Sequence, residues 1–235
     1  YLMKRILSIA AFALAAWSTL SSQALKPVKP DFDAYVSLLQ ADGYDVQSFD
    51  LSALSDSTYS FMLIIREYEN GKMIHDGYER FIYPLRNRNM LSRFSEEDQK
   101  TVKPEDMADA ARGIYSLGTR LNLGLSPLND STLRVSMEIP EIGAAYQQIS
   151  LRPQAHPKTG TIQHNYSNRP FTAPVFQSGT FIPLMFVGAA WYDPQIEMFR
   201  FCGENEITPD LSQEIVSHVP HFYVIGVETK KEHEK

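Results

Sequence analysis

Cysteine is almost missing from this chain. Cys202 is the only one in 235 residues, so no internal disulfide can form and the fold must rest on its core. A basic stripe is missing too. Lys and Arg number 22 against 28 Asp and Glu, a net charge of −6, which argues against nucleic acid as a partner. Beyond the first two dozen residues no apolar run approaches the ~20 residues that span a bilayer. There is no G-x-S-x-G elbow; Ser126 in GLSPL lacks the second glycine. Walker, dinucleotide-glycine and H-E-x-x-H patterns are also absent, so no cofactor is expected. No internal repeat or low-complexity tract occurs. What stays open is a Ser-His-Asp site assembled in space, which leaves no linear pattern.

What is present begins with an export signature. Lys4 and Arg5 precede the apolar stretch from Ile6 to Trp17, and Ser22-Gln23-Ala24 ends in the small-x-small pattern of a signal-peptidase site. The reading is a signal peptide over residues 1–24 and a single domain over 25–235, periplasmic or secreted. No cysteine lies near the cut, which argues against a lipid-anchored form, and no second long apolar run follows it.

In the mature part, Asp31 predicts a helix N-cap, with Phe32, Tyr35, Val36 and Leu39 at helical spacing and Gly43 as the stop. Tyr44–Leu51 reads as a short strand. Tyr59–Pro84 reads as a long β-hairpin closed by Asn70-Gly71, because a type I′ turn needs positive φ at both central residues. Glu69 then faces Lys72. A bulge at Asp76-Gly77 is expected to set Phe61 opposite Phe81 and Tyr59 opposite Tyr83. Ser95 and Asp98 form a capping-box pattern. Pro104 opens a second predicted helix, whose stripe is Met107, Ala110, Ala111, Ile114, Leu117 and Leu121. Thr132–Ile139 alternates cleanly and predicts a half-buried strand, as does Ala145–Leu151. A second hairpin turns at Asp193-Pro194. Thr208–Val216 predicts a third helix, and His221–Glu228 a last strand before a frayed, charged tail. The expected class is α+β: a mostly antiparallel sheet built on the hairpin 59–84 and packed by two or three helices.

Residues 152–183 change character. Five of the 14 prolines fall there, and long excursions of this kind carry function or motion. Tyr166, Phe171, Phe176 and Phe181 lie among Arg152, Lys158, His164 and Arg169. Aromatic and basic groups together suit sugars, anionic ligands or protein surfaces. The candidate ligand-binding residues are therefore Arg152, His156, Lys158, His164, Tyr166, Arg169 and Phe171. No catalytic residue and no metal ligand is assigned. His218 and His221 are three apart, but Pro220 between them argues against one helical face presenting both, and a site from His156, His164, His218 and His221 would have to be assembled in space. Cys202, in FRFCGENE, reads as a small buried hydrophobe, because Glu204 and Glu206 disfavour a reactive thiolate. Glu138, Glu141, Glu197 and Glu204 qualify for glycoside hydrolysis by position alone.

The signal peptide, the Asn70-Gly71 hairpin and the WYDP turn at Trp191 together resemble small exported proteins of unknown function from gut Gram-negative bacteria of the Bacteroidales type. The resemblance implies an envelope or secreted protein and carries over no catalytic residue. The leading expectation is a non-catalytic binding or interaction protein whose partner is a small molecule, a glycan or an envelope protein. The alternatives are a hydrolase acting on envelope or dietary glycans or peptides, and an inert scaffold that works only in a complex.

Overall fold

The computed structural model describes residues 29, 31–77, 83–172 and 174–232. The chain divides into two units, Tyr1–Ser37 and Leu38–Lys235, and the signal-peptide reading, over residues 1–24, lies outside the described residues. Helix α1 (Phe32–Ala41) crosses the boundary. Asp31 caps it as expected, its Oδ1 accepting the Ala34 N–H at 3.0 Å, and Gly43 follows with φ of +84°.

The second unit is built from strands. Its first half holds β1 (Asp45–Asp50), β2 (Tyr59–Glu69), β3 (Lys72–His75), β4 (Leu85–Arg86), β5 (Arg88–Met90), helix α2 (Glu96–Thr101), β6 (Ile114–Leu117), β7 (Arg120–Asn129), β8 (Thr132–Ile139) and β9 (Gly143–Ser150). Its second half holds β10 (Gln154–Ala155), β11 (Ile162–Gln163), β12 (Tyr166–Pro170), β13 (Phe181–Ala189), β14 (Trp191–Asp193), β15 (Met198–Arg200), helix α3 (Glu214–His218) and β16 (His221–Lys231). One antiparallel sheet runs β1-β7-β8-β9. A larger antiparallel sheet runs β12-β13-β16-β2-β3, with β4 also on β2. Three two-stranded ribbons complete the set.

The two sheets share one core. Leu121, Leu123, Leu125, Val135, Met137 and Ile149 from the smaller meet Phe61, Leu63, Ile65, Tyr223, Ile225 and Val227 from the larger. Strand β8 occupies the span read from its alternation, with Leu133, Val135, Met137 and Ile139 all inward. The larger sheet is covered on its other face as well. There Phe186, Phe222 and Val224 pack against Phe171, Ile207, Ile215, Val216 and Val219. Central strands buried on both faces read as unbroken apolar runs, as β13 and β16 do.

The expected α+β class is overturned: the fold is mainly β, in several antiparallel sheets with three short α-helices among the described residues. Neither α1 nor α2 buries a residue, and α3 buries only Ile215 and Val216. The two sheets cover each other on one face, and only the short α3 with its flanking loops covers the second face of the larger sheet. The predicted helix from Pro104 is a single 3₁₀ turn, Pro104–Asp106. Gly113 then takes φ of +67°, and Ile114, Leu121, Leu123 and Leu125 bury at strand spacing in β6 and β7. The i, i+3, i+4 stripe and the period-two run of β7 share Leu121, and the sheet won. The third predicted helix begins late, at Glu214. The C-terminal stretch is tied rather than frayed up to Glu232: β16 runs to Lys231, and Arg86 and Arg93 hold the Glu232 carboxylate at 2.8 and 2.6 Å.

The hairpin turn forms as read, with φ of +49° at Asn70 and +74° at Gly71 and Glu69 opposite Lys72. The bulge lies earlier than expected. Tyr68 pairs with Met73 and Glu67 with His75, which leaves Ile74 as the extra residue. Gly77 serves a different purpose: a Cβ there would sit 2.4 Å from the Ile65 carbonyl oxygen. Phe81 lies outside the described residues. Phe61 pairs with Leu85 on β4, and the Tyr59 carbonyl accepts the Asn87 N–H at 3.0 Å, so Tyr83 does not face Tyr59.

A candidate ligand-binding cleft between the sheets

The turns at the β1 end of the smaller sheet and the edge of the larger enclose a cleft of about 580 Å³. One wall is Tyr44 and Asp45 at the start of β1 with Asn129 and Asp130 of the β7–β8 turn. The other is His164 and the β12 residues Tyr166, Ser167 and Asn168. The base is apolar, formed by Leu125, Leu133, Leu151 and Val187. Gly43 brings the chain against the turn: a Cβ there would stand 3.2 Å from Pro127 Cγ. An apolar base with convergent polar groups is the usual composition of a small-ligand site.

Behind the β12 wall lies a closed polar network. His221, on the inward face at the head of β16, is almost fully buried. Its Nε2 is 2.9 Å from Glu67 Oε1, and its Nδ1 is 2.6 Å from the Tyr166 hydroxyl. An ionised carboxylate only accepts, so Nε2 carries the proton and Nδ1 accepts from Tyr166. The Tyr166 oxygen in turn accepts the Arg152 backbone N–H at 3.0 Å, and the Arg152 guanidinium donates to Glu67 Oε1 at 3.1 Å. Tyr223, the next inward residue on β16, donates to the Ser150 carbonyl at 2.7 Å.

Burial sets the protonation states. It pulls His221 below the ordinary imidazole value, against the opposing pull of Glu67, so the ring is neutral at neutral pH. Burial pushes the Glu67 carboxyl up, but the hydrogen bond from His221 and the charge and hydrogen bond of Arg152 outweigh it and hold the carboxyl below the usual range. The Tyr166 phenol is pushed up to about 12, chiefly by burial and with the Glu67 charge adding, against the Arg152 N–H. The phenol stays protonated and both its partners are in place. The network holds the wall of the cleft and has no idle nucleophile.

The sequence-derived candidates separate into groups. His164 and Tyr166 line the cleft, and Arg152 joins it indirectly through the network. Arg169 borders the cleft, but its guanidinium lies 4.8 Å from the Phe201 ring centre and its Nε donates to the Glu204 carbonyl. His156 packs edge-on to Tyr192 and Phe199, and its Nδ1 accepts the Lys158 and Thr159 N–H groups. Lys158 pairs with Glu197. Phe171 is core. The proline-rich stretch is thus β10, β11 and β12, which staple it down and leave one strand edge on the cleft.

Missing from that set were Glu67, His221 and the whole opposite wall. Glu67 and His221 did leave a signal. Each continues an inward apolar series, Phe61-Leu63-Ile65 and Val227-Ile225-Tyr223, with a titratable residue. The opposite wall meets β12 only through tertiary structure.

Cys202 is exposed, not buried, and Arg200 Nε donates to its Sγ at 2.9 Å. It lines a second cavity of about 460 Å³ with Trp191 and His218. Glu204 accepts the Glu214 and Ile215 N–H groups at the start of α3. Glu138 meets Asn122. Among the described residues no three of His, Cys, Asp and Glu gather at metal-ligand spacing, and no helix is long and apolar enough to cross a membrane.

No curated protein and no solved structure matches the chain. Its family is nevertheless identified by sequence over nearly its whole length: residues 14–231 match the domain of unknown function DUF5041, and the chain belongs to that family.

Proposed function

We propose that this chain is an exported, non-catalytic binding protein of the bacterial envelope, periplasmic or secreted, that takes its ligand in the cleft between β1 and β12. The observation that carries this reading is the cleft's build. Tyr44, Asp45, Asn129, Asp130, His164 and Asn168 converge over an apolar base, and the β12 wall is held by the closed network of Glu67, His221, Tyr166 and Arg152. A preformed wall lowers the ordering cost of binding. The Lys4-Arg5 and Ile6–Trp17 signature supports export. The ligand classes compatible with such walls are a small polar molecule, a glycan, or a segment of another envelope protein.

The test is a thermal-shift panel of oligosaccharides, organic anions and peptides, run on the wild type and on a Tyr44→Ala/Asp130→Ala double variant. At least one class should raise the wild-type melting temperature and leave the variant unmoved. No shift by any class, or the same shift in both proteins, refutes the reading. Amino-terminal sequencing of the protein from host cell fractions tests export: a mature terminus at Leu25 outside the cytoplasm is expected, and an intact Met3 terminus inside it contradicts it.

A further inference from the structure

We infer that the ligand of this cleft is an extended peptide segment, neutral or basic, which adds as a strand to the open edge of β12. The inference rests on the binding reading above and names its ligand class. Four consecutive residues, Tyr166 to Arg169, border the cleft. Side chains alternate across a strand, so consecutive residues share one cavity through the strand's edge and not through one face.

The pairing says which backbone groups that edge presents. Asn165 and Phe171 bond to β13, through Ala190 N–H to the Asn165 carbonyl at 2.8 Å and Phe171 N–H to the Leu184 carbonyl at 3.2 Å. With the register Tyr166 to Ala189 and Asn168 to Val187, the odd positions face β13. The N–H and C=O groups of Tyr166 and Asn168 point the other way, toward the cleft. No strand pairs with that edge of β12 among the described residues.

The edge already accepts an addition one step further on. Ile207 N–H donates to the Pro170 carbonyl at 2.9 Å, and Thr172 N–H to the Ile207 carbonyl at 2.8 Å. The Asn168 carbonyl holds the Arg169 guanidinium at 2.8 Å. Three groups then remain for an incoming segment: the Tyr166 N–H, the Tyr166 C=O and the Asn168 N–H. That is the pattern by which main-chain bonds recognise an added strand. The charge preference follows from the facing wall, which carries the Asp45 and Asp130 carboxylates, while Arg169 is turned to Phe201 and Glu204.

The experiment uses acetylated, amidated hexapeptides of alternating Thr and Val carrying one Lys, one Gln or one Glu, with binding read by fluorescence anisotropy. The Lys and Gln peptides should bind and the Glu peptide bind more weakly, with the gap closing in an Asp45→Asn/Asp130→Asn variant. N-methylating the two central amides should weaken binding about two- to tenfold, because the one that meets the Tyr166 carbonyl loses its main-chain hydrogen bond. Asn168→Pro should do the same, because it removes an N–H that faces the cleft and none that faces β13. Peptides that do not bind, or bind equally well when N-methylated, overturn the inference, and the N-methyl arm decides even if the proline variant does not fold. Glycan or anion binding in the wild type with no peptide binding would overturn strand addition and leave the cleft as a binding site. No binding by any class would overturn both.

Discussion

Replacing His221 by phenylalanine tests whether the network behind β12 supports the cleft wall. The ring is nearly inaccessible and makes two contacts, 2.9 Å to Glu67 and 2.6 Å to Tyr166. Removing the first costs Glu67 a charge-assisted bond worth about 1.5–3 kcal/mol, moderated by the Arg152 contact that remains. Removing the second leaves the Tyr166 proton without an acceptor in a half-buried place, about 1–3 kcal/mol. The added apolar surface of phenylalanine offsets part of this. A net loss of about 2–4 kcal/mol is expected at pH 7, a fall in melting temperature of roughly 5–12 °C for a chain of this size.

The pH dependence adds a sign. The folded His221 value lies below the unfolded 6.5, so the unfolded chain binds the proton first as pH falls. The stability due to the neutral ring is complete above about pH 6.5 and drains away below it, until the folded value is passed. Glu67, also lowered from 4.5, adds a second decline beginning near that pH. His221→Phe removes the first decline, so the two proteins should converge between pH 7 and pH 5. Urea unfolding at half-unit pH steps measures this. A variant as stable as the wild type at pH 7, or one with the same slope below pH 6.5, would refute the buried neutral imidazole and with it the preformed wall.

Two further substitutions test the packing. Gln147 sits inward on β9, buried, with both amide atoms unpartnered; Gln147→Leu should raise stability by about 1–3 kcal/mol in urea unfolding with an unchanged denaturant slope, and a loss would mean the amide is satisfied in solution. Gly226 lets β13 and β16 close, since a Cβ there would lie 2.1 Å from the Ile182 carbonyl oxygen; Gly226→Ala should lower the melting temperature by several degrees, roughly 1–3 kcal/mol of overpacking, and an unchanged melt would show that the strands part at little cost.

The elements legible in the sequence were those whose signal is local and single. Asn70-Gly71 has one good conformation, Thr132–Ile139 carries one period, and Asp31 caps a helix with its own side chain. Residues 104–125 carried two signals, and the helical one ran through Gly113 and against the alternation from Arg120 to Ser126. The bulge was misplaced by a few residues because Gly77 could serve either a bulge or a close approach. The site was half legible. His164 and Tyr166 came from composition, but Arg169, His156 and Lys158 have partners of their own that only the fold reveals. Glu67 and His221 are 154 residues apart, and nothing local to either announces the other.

The central claim is that the cleft between β1 and β12 is where this protein meets its ligand. Residue-resolved amide chemical-shift mapping, with whichever probe raises the melting temperature, tests it most directly. The account predicts perturbations gathered at residues 43–45, 128–130 and 164–168, with the Tyr166 and Asn168 amides among the largest. Perturbations gathered instead around Trp191, Arg200 and Cys202, or spread without a centre, would contradict it.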